Sequence, residues 1–413
     1  MVQSLRLERP QAVSSGSPML ITNALLPGHP DLMRLWIKSD GTIQSIETMA
    51  QSFKQPPPES LQIINLEADW LSLGGVDLQV NGGLGLAFPD LSSQNQRQLL
   101  QVCQALWEEG IDAFLPTIVT SSIAQIQEAL AAIAAYQKKH GNATNSAKIL
   151  GVHLEGPFLN AAKRGAHAQA HLQPLTLETV KAVIGDYAPL IKIITLAPEL
   201  DTTGTVIPYL RSLGILVSLG HSQATEAEAQ QAFQQGATLV THAFNAMPSL
   251  HHREAGLLGA ALVQEGVYSG LIADGVHVCP TMLKILLRAG GFSERLFLVS
   301  DALAPAGLPD GAYPWDERQI EVKSGTARLQ NGTLAGTTLS LLAGVQNLVH
   351  WEICSVDEAI ALATIAPRRA LGESGEGPKR DRLYIGHSMR ELLRWRYERG
   401  QNQLTWQRLE VAT

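Results

Sequence analysis

The sequence predicts an α/β protein, a (β/α)8 barrel of the TIM type with a small β-sandwich domain built from both chain ends. Two observations support this fold class. From about residue 73 to residue 370, short apolar runs typical of buried strands alternate with longer amphipathic stretches typical of helices. Several apolar runs end in polar residues that could act in catalysis or bind a metal, as strands do at the mouth of a barrel. An open doubly wound sheet is the alternative reading of the alternation.

The chain ends differ from this middle part. Residues 1–17 carry no strand or helix pattern and are predicted to be a weakly ordered extension. Residues 18–66 contain short strand patterns with a turn at Asp40 and Gly41. Residues 373–413 alternate again around Arg399 and Gly400. These two segments are predicted to pair in the small β-sandwich domain, and residues 67–372 are predicted to form the barrel.

Eight apolar runs are the predicted barrel strands. They are SLGGVDLQV, AFLPTIV, KILGVHLE, IKIITLAP, ILVSLGH, TLVTHAF, YSGLIAD and RLFLVSD. Several of the segments between them end in glycine, which is a common signal for the end of a helix. The order of runs and segments is therefore that of eight strand-helix units.

Composition limits the class of partner. The chain has 413 residues, of which 45% are hydrophobic and 17% charged, so it can bury a large core. Its net charge of −7 gives no general reason to expect nucleic acid or an anionic membrane as a partner. No apolar run is long enough to predict a membrane span. The three cysteines are far apart in the sequence and do not form a disulfide framework, which favours the cytoplasm.

Glu155, His221 and His242 come at the ends of predicted strands and form a plausible set of metal ligands. Two imidazoles and one carboxylate leave a position open for water, as catalytic zinc requires. A bound ion would lower the pKa of that water and polarise a substrate carbonyl. Asp301, after the last strand, is then placed to move a proton from water to a leaving group. Taken singly, each histidine is more often structural, and Asp301 could simply cap a turn.

Two basic regions could bind an anion. Arg253 is the best candidate, because a guanidinium binds phosphate through paired hydrogen bonds. A solvated surface arginine is the alternative. Lys163 and Arg164 are predicted to face solvent instead of a ligand.

These segments together resemble the N-acetylglucosamine-6-phosphate deacetylases, a family of the amidohydrolase superfamily. The matching motifs are GGVDLQVNG, HLEGPFLNAAKRGAH, LGHSQAT, THAFNAM, HHREAGLLGAAL, IADGVHV, VSDALAPAG, NGTLAG and ATIAPRRALG. The resemblance implies that the N-acetyl group of a phosphorylated amino sugar is hydrolysed to give glucosamine 6-phosphate and acetate. It also implies a barrel with a small β-domain and a homodimer.

The resemblance assigns roles to individual residues. It implies that Glu155, His221 and His242 bind the metal and that Asp301 is the catalytic acid and base. The implied substrate-binding positions are Ala166, His167, Asn245, Ala246, His277, Leu334, Ala335 and Gly336. Arg253 matches a phosphate contact that in the family can come from the neighbouring subunit. His251 and His252 depart from the expected pattern just before it.

Gln79 and Asn81 stand where many amidohydrolases carry the His-x-His of a second metal site. Neutral amides are poor ligands for transition metals beside imidazole. We therefore predict that these are vestigial second-metal positions and that each chain binds one divalent ion. Zinc is the default, with iron, manganese and cobalt as alternatives.

Two alternatives to this function are open. The substrate could be N-acetylgalactosamine 6-phosphate or another N-acyl compound, because epimers that differ at one hydroxyl are not distinguished by these motifs. A catalytically dead barrel that binds a sugar phosphate is the non-enzymatic alternative. Such a protein should have lost a metal ligand or the acid/base, yet all four residues are present in this sequence.

Overall fold

The computed structural model describes residues 17–52, 61–141, 143–291, 294–372 and 383–409. The chain forms two compact units, one of residues 1–74 with 373–413 and the other of residues 75–372. Most of the predicted N-terminal extension, residues 1–16, lies outside the described residues. The boundary predicted from the sequence is residue 66. The first unit continues beyond it, because Trp70–Leu73 pairs with Leu392–Glu398 from the other chain end.

In the described part of the second unit, a parallel sheet of eight strands curls into a nearly closed barrel. Its strands are Gly75–Val80, Ile111–Val119, Lys148–Ile149 continued by Val152–Glu155, Ile191–Leu196, Leu216–Leu219, Leu239–Val240, Tyr268–Leu271 and Leu296–Leu298. The first and last strands meet where Asp301 N donates to Gln79 O (3.0 Å) and Asn81 N donates to Ala302 O (2.7 Å). The barrel predicted from the sequence is confirmed.

The barrel strands are buried on both faces, which explains their continuous apolar runs. All six residues of Gly75–Val80 are buried. Side chains from several strands, including Val76, Leu115, Ile193 and Phe297, pack together in one hydrophobic cluster. The barrel interior is therefore a packed core below the mouth.

Helices connect the strands. The α-helices are Gln96–Glu108, Ile123–His140, Leu177–Ile184, Val206–Ser212, Glu226–Gln234, Gly256–Val263, Pro280–Ala289, Leu341–His350, Val356–Thr364 and Ala366–Ala370. Ser122 begins one of them, since its hydroxyl accepts from Gln125 N while the side chain of Gln125 accepts from Ser122 N. Thr225 and Ser355 begin helices in the same way. Among the described helices, none has the length and apolar character that crossing a membrane requires.

An antiparallel sheet, which is not among the strands predicted from the sequence, follows the last barrel strand. Its strands are Gly311–Trp315, Arg318–Lys323, Thr326–Leu329 and Leu334–Thr337. Ile320 and Val322 on its inner face pack with Leu303 and Ala166 from the loops above the barrel. This sheet therefore becomes part of the wall around the mouth.

The unit built from both chain ends contains two sheets. One has the strands Ile43–Thr48, Met33–Ile37, Met19–Ala24 and Gln62–Asn65, and the other has Gln403–Arg408, Leu392–Glu398 and Trp70–Leu73. Ile21 and Leu35 of the first sheet share a hydrophobic core with Leu71 and Leu392 of the second. The small β-sandwich of the predicted fold class is therefore present.

Candidate active site

A cavity of about 900 Å³ opens at the carboxyl ends of the barrel strands. Most of the predicted site residues line it, namely Asn81, Glu155, Ala166, His167, His221, His242, Asn245, Ala246, His277, Asp301, Leu334 and Ala335. Three predicted residues are not part of this lining. Gln79 is buried behind it, Gly336 is buried next to Ala335, and Arg253 is exposed on a turn.

The side chains of Glu155, His221 and His242 converge on one point. Glu155 Oε1 lies 3.2 Å from His221 Nε2 and 3.1 Å from His242 Nε2, and the two nitrogens are 3.0 Å apart. Ligand atoms around one tetrahedral zinc ion lie about 3.4 Å apart. These three buried donors therefore have nearly the spacing that a shared ion requires.

The protonation of His221 also suits a metal ligand. Its Nδ1 lies 3.0 Å from the carbonyl oxygen of Lys163, which can only accept, so Nδ1 carries the proton. Nε2 of His221 is therefore the nitrogen that would bind a cation placed between Glu155 and His242. Among the described residues, the buried Nδ1 of His242 has no hydrogen-bond partner. The three residues thus supply a donor set that fits a divalent cation.

Glu155 stays ionised although it is buried. Burial alone would raise its pKa, but hydrogen bonds from His221 and His242 bring the pKa well below the ordinary value. Gln79 adds another donor, because its Nε2 lies 2.9 Å from Glu155 Oε1. The carboxylate therefore keeps the negative charge that a cation needs.

Asp301 presents one carboxylate oxygen to the cavity. Its Oδ1 accepts from Gln79 Nε2 at 3.1 Å and from Asn81 Nδ2 at 2.7 Å. Since two amide donors use both electron pairs of Oδ1, Oδ2 is the oxygen available for a substrate proton. Burial, together with the nearby charge of Glu155, raises the pKa of Asp301 to about 6. Asp301 is therefore a stronger base than an exposed aspartate.

His167 is held as a neutral hydrogen-bond donor. The backbone N–H of Thr120 donates to His167 Nδ1 (3.4 Å), and Thr120 Oγ1 lies 2.9 Å from the same atom. Because a backbone N–H can only donate, Nδ1 is the acceptor and Nε2 carries the proton. Burial and the neighbouring His221 lower the pKa of His167 to about 3. Its Nε2–H, 3.9 Å from Glu155 Oε2, is thus a donor beside the metal-ligand cluster.

Three of these residues have left-handed backbone conformations. The φ angles are 48° for His221, 27° for His242 and 49° for Asp301. Residues with a side chain disfavour this region, at a cost on the order of 1–3 kcal/mol each. Each residue comes two or three positions after a barrel strand, so the unusual backbone is placed where the chain turns into the mouth.

Asp274 has a supporting position. Its Oδ2 accepts from His277 Nδ1 at 2.7 Å, and its Oδ1 accepts from the backbone N–H groups of Val276 and His277. These bonds hold the imidazole of His277 at the cavity wall. Asp274 therefore orients a lining residue without entering the cavity lining itself.

The cavity is also lined by cationic side chains that were not predicted from the sequence to lie there. Lys163 lines it and donates to the carbonyl of Met247 at 3.1 Å, so it does not simply face solvent as predicted. Arg318 and Arg328 reach the lining from the antiparallel sheet. The alternation of RQIEVK was a local signal for that sheet, whereas the contact of Lys163 joins residues 84 positions apart and has no local signal.

Comparison with known proteins identifies the family, although no family model matches the chain. An N-acetylglucosamine-6-phosphate deacetylase from Bos taurus is 37% identical over 310 residues, which are 73% of this chain and 74% of the relative. An N-acetylgalactosamine-6-phosphate deacetylase from Escherichia coli O157:H7 is 33% identical over 82% of this chain and 85% of the relative. A solved structure of an N-acetyl-D-glucosamine-6-phosphate deacetylase variant from Mycobacterium smegmatis, in complex with N-acetyl-D-glucosamine-6-phosphate, matches with a TM-score of 0.79. The identity is 26%, and the match covers 94% of this chain and 97% of that one. The chain therefore belongs to the N-acetylglucosamine-6-phosphate deacetylase family.

Proposed function

We propose that this protein hydrolyses the N-acetyl group of N-acetylglucosamine 6-phosphate to give glucosamine 6-phosphate and acetate. The observation that carries this proposal is the buried cluster of Glu155, His221 and His242 in one cavity with Asp301. Two relatives support the choice of substrate. The bovine relative is a deacetylase of this compound, and the mycobacterial structure is a complex with it. The three free cysteines suit a reducing compartment and support a cytoplasmic location.

Glu155, His221 and His242 would hold one divalent metal ion. Two neutral imidazoles and one carboxylate are a donor set of catalytic zinc, which we propose as the ion. Iron, manganese and cobalt are the alternatives, because similar donors also bind them. When bound, the ion would lower the pKa of a water molecule and polarise the acetyl carbonyl.

A single ion per chain is proposed because Gln79 and Asn81 have another use. Their amide nitrogens donate to the carboxylate of Asp301, and Gln79 also donates to Glu155. These donors stabilise the two neighbouring carboxylates where a second cation could otherwise do so. Neutral amides are in addition weak ligands for transition metals.

Proton transfer is assigned to Asp301. Its Oδ2 takes a proton from the water molecule whose oxygen attacks the acetyl carbon. The same proton passes to the amide nitrogen as the carbon–nitrogen bond breaks, so acetate and the amine leave. His167 donates its Nε2–H to the acetyl oxygen, on which negative charge develops during the attack.

The sugar is proposed to lie between two parts of the cavity wall. Asn245, Ala246 and His277 form one part. Leu334 and Ala335 form the other, and Gly336 next to them packs closely against the barrel. A Cβ atom at Gly336 would lie 2.7 Å from the carbonyl oxygen of Asp301, so only glycine permits this approach.

Arg253 is proposed to bind the phosphate group of the substrate that lies in the cavity of a neighbouring subunit. Its side chain is exposed and does not line the cavity of its own chain. A guanidinium is nevertheless well suited to phosphate. We therefore propose a homodimer in which each subunit supplies Arg253 to the cavity of the other.

Metal content and acetate release, measured on the same preparation, test this function. We expect about one divalent ion per chain, as for a site with one set of three ligands, and acetate release from N-acetylglucosamine 6-phosphate. A protein that carries the ion and releases no acetate contradicts the proposal.

The E. coli relative gives a reason to test the C4 epimer as well. The substrate panel therefore includes N-acetylgalactosamine 6-phosphate and other N-acyl amines. A higher kcat/KM for the galacto compound, or for another N-acyl compound, would replace the proposed substrate without changing the chemistry.

A further inference from the structure

The carboxylate of Glu199 accepts hydrogen bonds from residues around His221, although Glu199 does not line the cavity. Its Oε1 lies 2.9 Å from Asn160 Nδ2 and 2.6 Å from Gln223 N, and its Oε2 lies 2.7 Å from Ser222 Oγ. These partners follow the third and fifth barrel strands, and Glu199 follows the fourth. One carboxylate therefore joins three consecutive loops at the mouth.

Asn160 extends the hydrogen bonds of Glu199 to His221. Its backbone N–H donates to the carbonyl oxygen of His221 at 2.9 Å, and its Oδ1 accepts from Ala162 N at 2.9 Å. The second bond shapes the turn Ala161–Lys163. That turn puts the carbonyl oxygen of Lys163 3.0 Å from His221 Nδ1. This last bond fixes the orientation of the ring, with Nε2 towards Glu155 and His242.

The backbone of His221 needs such support. Its φ angle of 48° lies in the left-handed region, which residues with a side chain adopt only when their surroundings hold them there. Bonds on both sides hold it, since Asn160 N binds its carbonyl oxygen and the next residue, Ser222, is bound by Glu199. The position of the imidazole therefore depends on the loops that Glu199 joins.

We infer that Glu199 is a positioning residue of the metal site, whose carboxylate holds these loops so that His221 presents Nε2 to Glu155 and His242. The inference rests on the metal site of the proposed function. Glu199 is only half-buried and does not touch the metal-ligand cluster. Its removal should therefore weaken metal binding much more than it weakens folding.

The test measures the affinity of the metal-free protein for Zn²⁺, by competition with a chelator and without substrate. Glu199→Ala should weaken Zn²⁺ binding about 10- to 100-fold, which is the range for partners that orient metal ligands. Glu199→Gln keeps one oxygen for Asn160 and Gln223 and offers an NH₂ group to Ser222 Oγ, which can accept. It should therefore restore the affinity to within about threefold of wild type.

Asp201→Ala is the matched control. Asp201 is a carboxylate two residues after Glu199, and it accepts from the backbone N–H groups of Thr203, Gly204 and Val206. These donors lie further along the loop that follows the fourth strand, and none of them belongs to the loops after the third or fifth strand. This variant should lower the thermal midpoint of the metal-free protein and leave the Zn²⁺ affinity unchanged.

Unchanged Zn²⁺ affinity in a folded Glu199→Ala protein overturns the inference, and so does an equal loss in Asp201→Ala. If Glu199→Ala does not fold, Asn160→Ala tests the same hydrogen bonds between Glu199 and His221. Unchanged Zn²⁺ affinity in that variant also overturns the inference. A wild-type protein that binds no Zn²⁺ defeats the proposed function and the inference together. Tight wild-type binding with unaffected variants defeats the inference alone.

Discussion

Replacing Asp301 by asparagine should abolish most of the turnover and leave the site intact. The structure explains why this substitution is so selective. Both hydrogen bonds from Gln79 and Asn81 go to Oδ1, and an asparagine oxygen can accept both of them. The substitution then changes only the group at Oδ2, which becomes an NH₂ group that cannot take a proton.

The magnitude follows from the role of that oxygen. A positioned acid and base contributes about 10²- to 10⁴-fold to the rate. At about 1.4 kcal/mol for each factor of ten, this is about 3–5 kcal/mol of transition-state stabilisation. Because Asp301 is assigned to proton transfer and not to binding the sugar, we expect kcat to fall by this factor while KM changes little.

The assay is acetate release under saturating substrate, with metal content and thermal midpoint measured on the same sample. Asp77→Asn is the matched control. Asp77 is also buried and accepts from the backbone N–H groups of Gln79 and Ser300, but it does not line the cavity. An asparagine oxygen can accept the same bonds, so kcat of this control should remain within several-fold of wild type, about the effect of a site without a proton-transfer role.

Near-normal turnover in Asp301→Asn would refute the assignment of the proton-transfer step. An equal loss of kcat in Asp77→Asn would refute it as well, because the effect would then come from changing any buried carboxyl at this end of the sheet. A loss of bound metal in Asp301→Asn would show that the residue acts on the ion site. Retained metal with lost turnover is the result that the structure predicts.

Three further predictions concern other parts of the site and its support. Arg253→Ala should raise KM for the phosphorylated sugar about 10- to 100-fold, the value of a lost bond to a charged group, and hardly change it for N-acetylglucosamine. Mixing Arg253→Ala with Asp301→Asn subunits should restore activity, and no recovery after subunit exchange would contradict a phosphate contact across the dimer. His167→Ala should lower kcat about 10²- to 10³-fold, as loss of an oxyanion donor does, and a change in KM alone would remove this role. Burial raises the pKa of Asp77 to about 7, so the folded state retains a proton that the unfolded state releases above about pH 4. This contribution to stability is lost as pH rises towards 7. The free energy of unfolding in urea of Asp77→Asn, relative to that of wild type, should therefore be higher at pH 8 than at pH 5. The same difference between the two proteins at both pH values would contradict the burial of an ionisable Asp77.

The cluster of Glu155, His221 and His242 could be predicted from the sequence because its signals are local. Each of Glu155, His221 and His242 follows an apolar run that is recognisable by itself as a strand. In a parallel barrel all carboxyl ends lie at the same end, so three separate strand ends predict one cluster.

Other parts of the structure depend on contacts between distant residues. The strand Trp70–Leu73 belongs to the sandwich because it pairs with Leu392–Glu398, more than 300 positions later, and nothing in its own four residues names that partner. Lys163 turns towards Met247 for the same kind of reason. The sheet of residues 311–337 is different, because Ile320 and Val322 alternate with exposed residues in a detectable strand pattern.

The backbone of the site shows why residue identity was easier to predict than geometry. His221, His242 and Asp301 all have positive φ angles, which only a few per cent of residues other than glycine adopt. The compensation comes from specific bonds. Asp301 donates its N–H to Gln79 O and accepts at its carbonyl oxygen from Thr337 N, and His221 is held by Asn160 N.

These bonds close within the chain, so the strained residues are positioned by the fold before any ion or substrate binds. A preorganised site of this kind suits the proposed ion, because a catalytic zinc ion has three protein ligands and keeps one position open for water. It also implies that residues outside the cavity contribute to metal affinity. The loops after the third, fourth and fifth strands, joined by Glu199, are where this contribution is concentrated for His221.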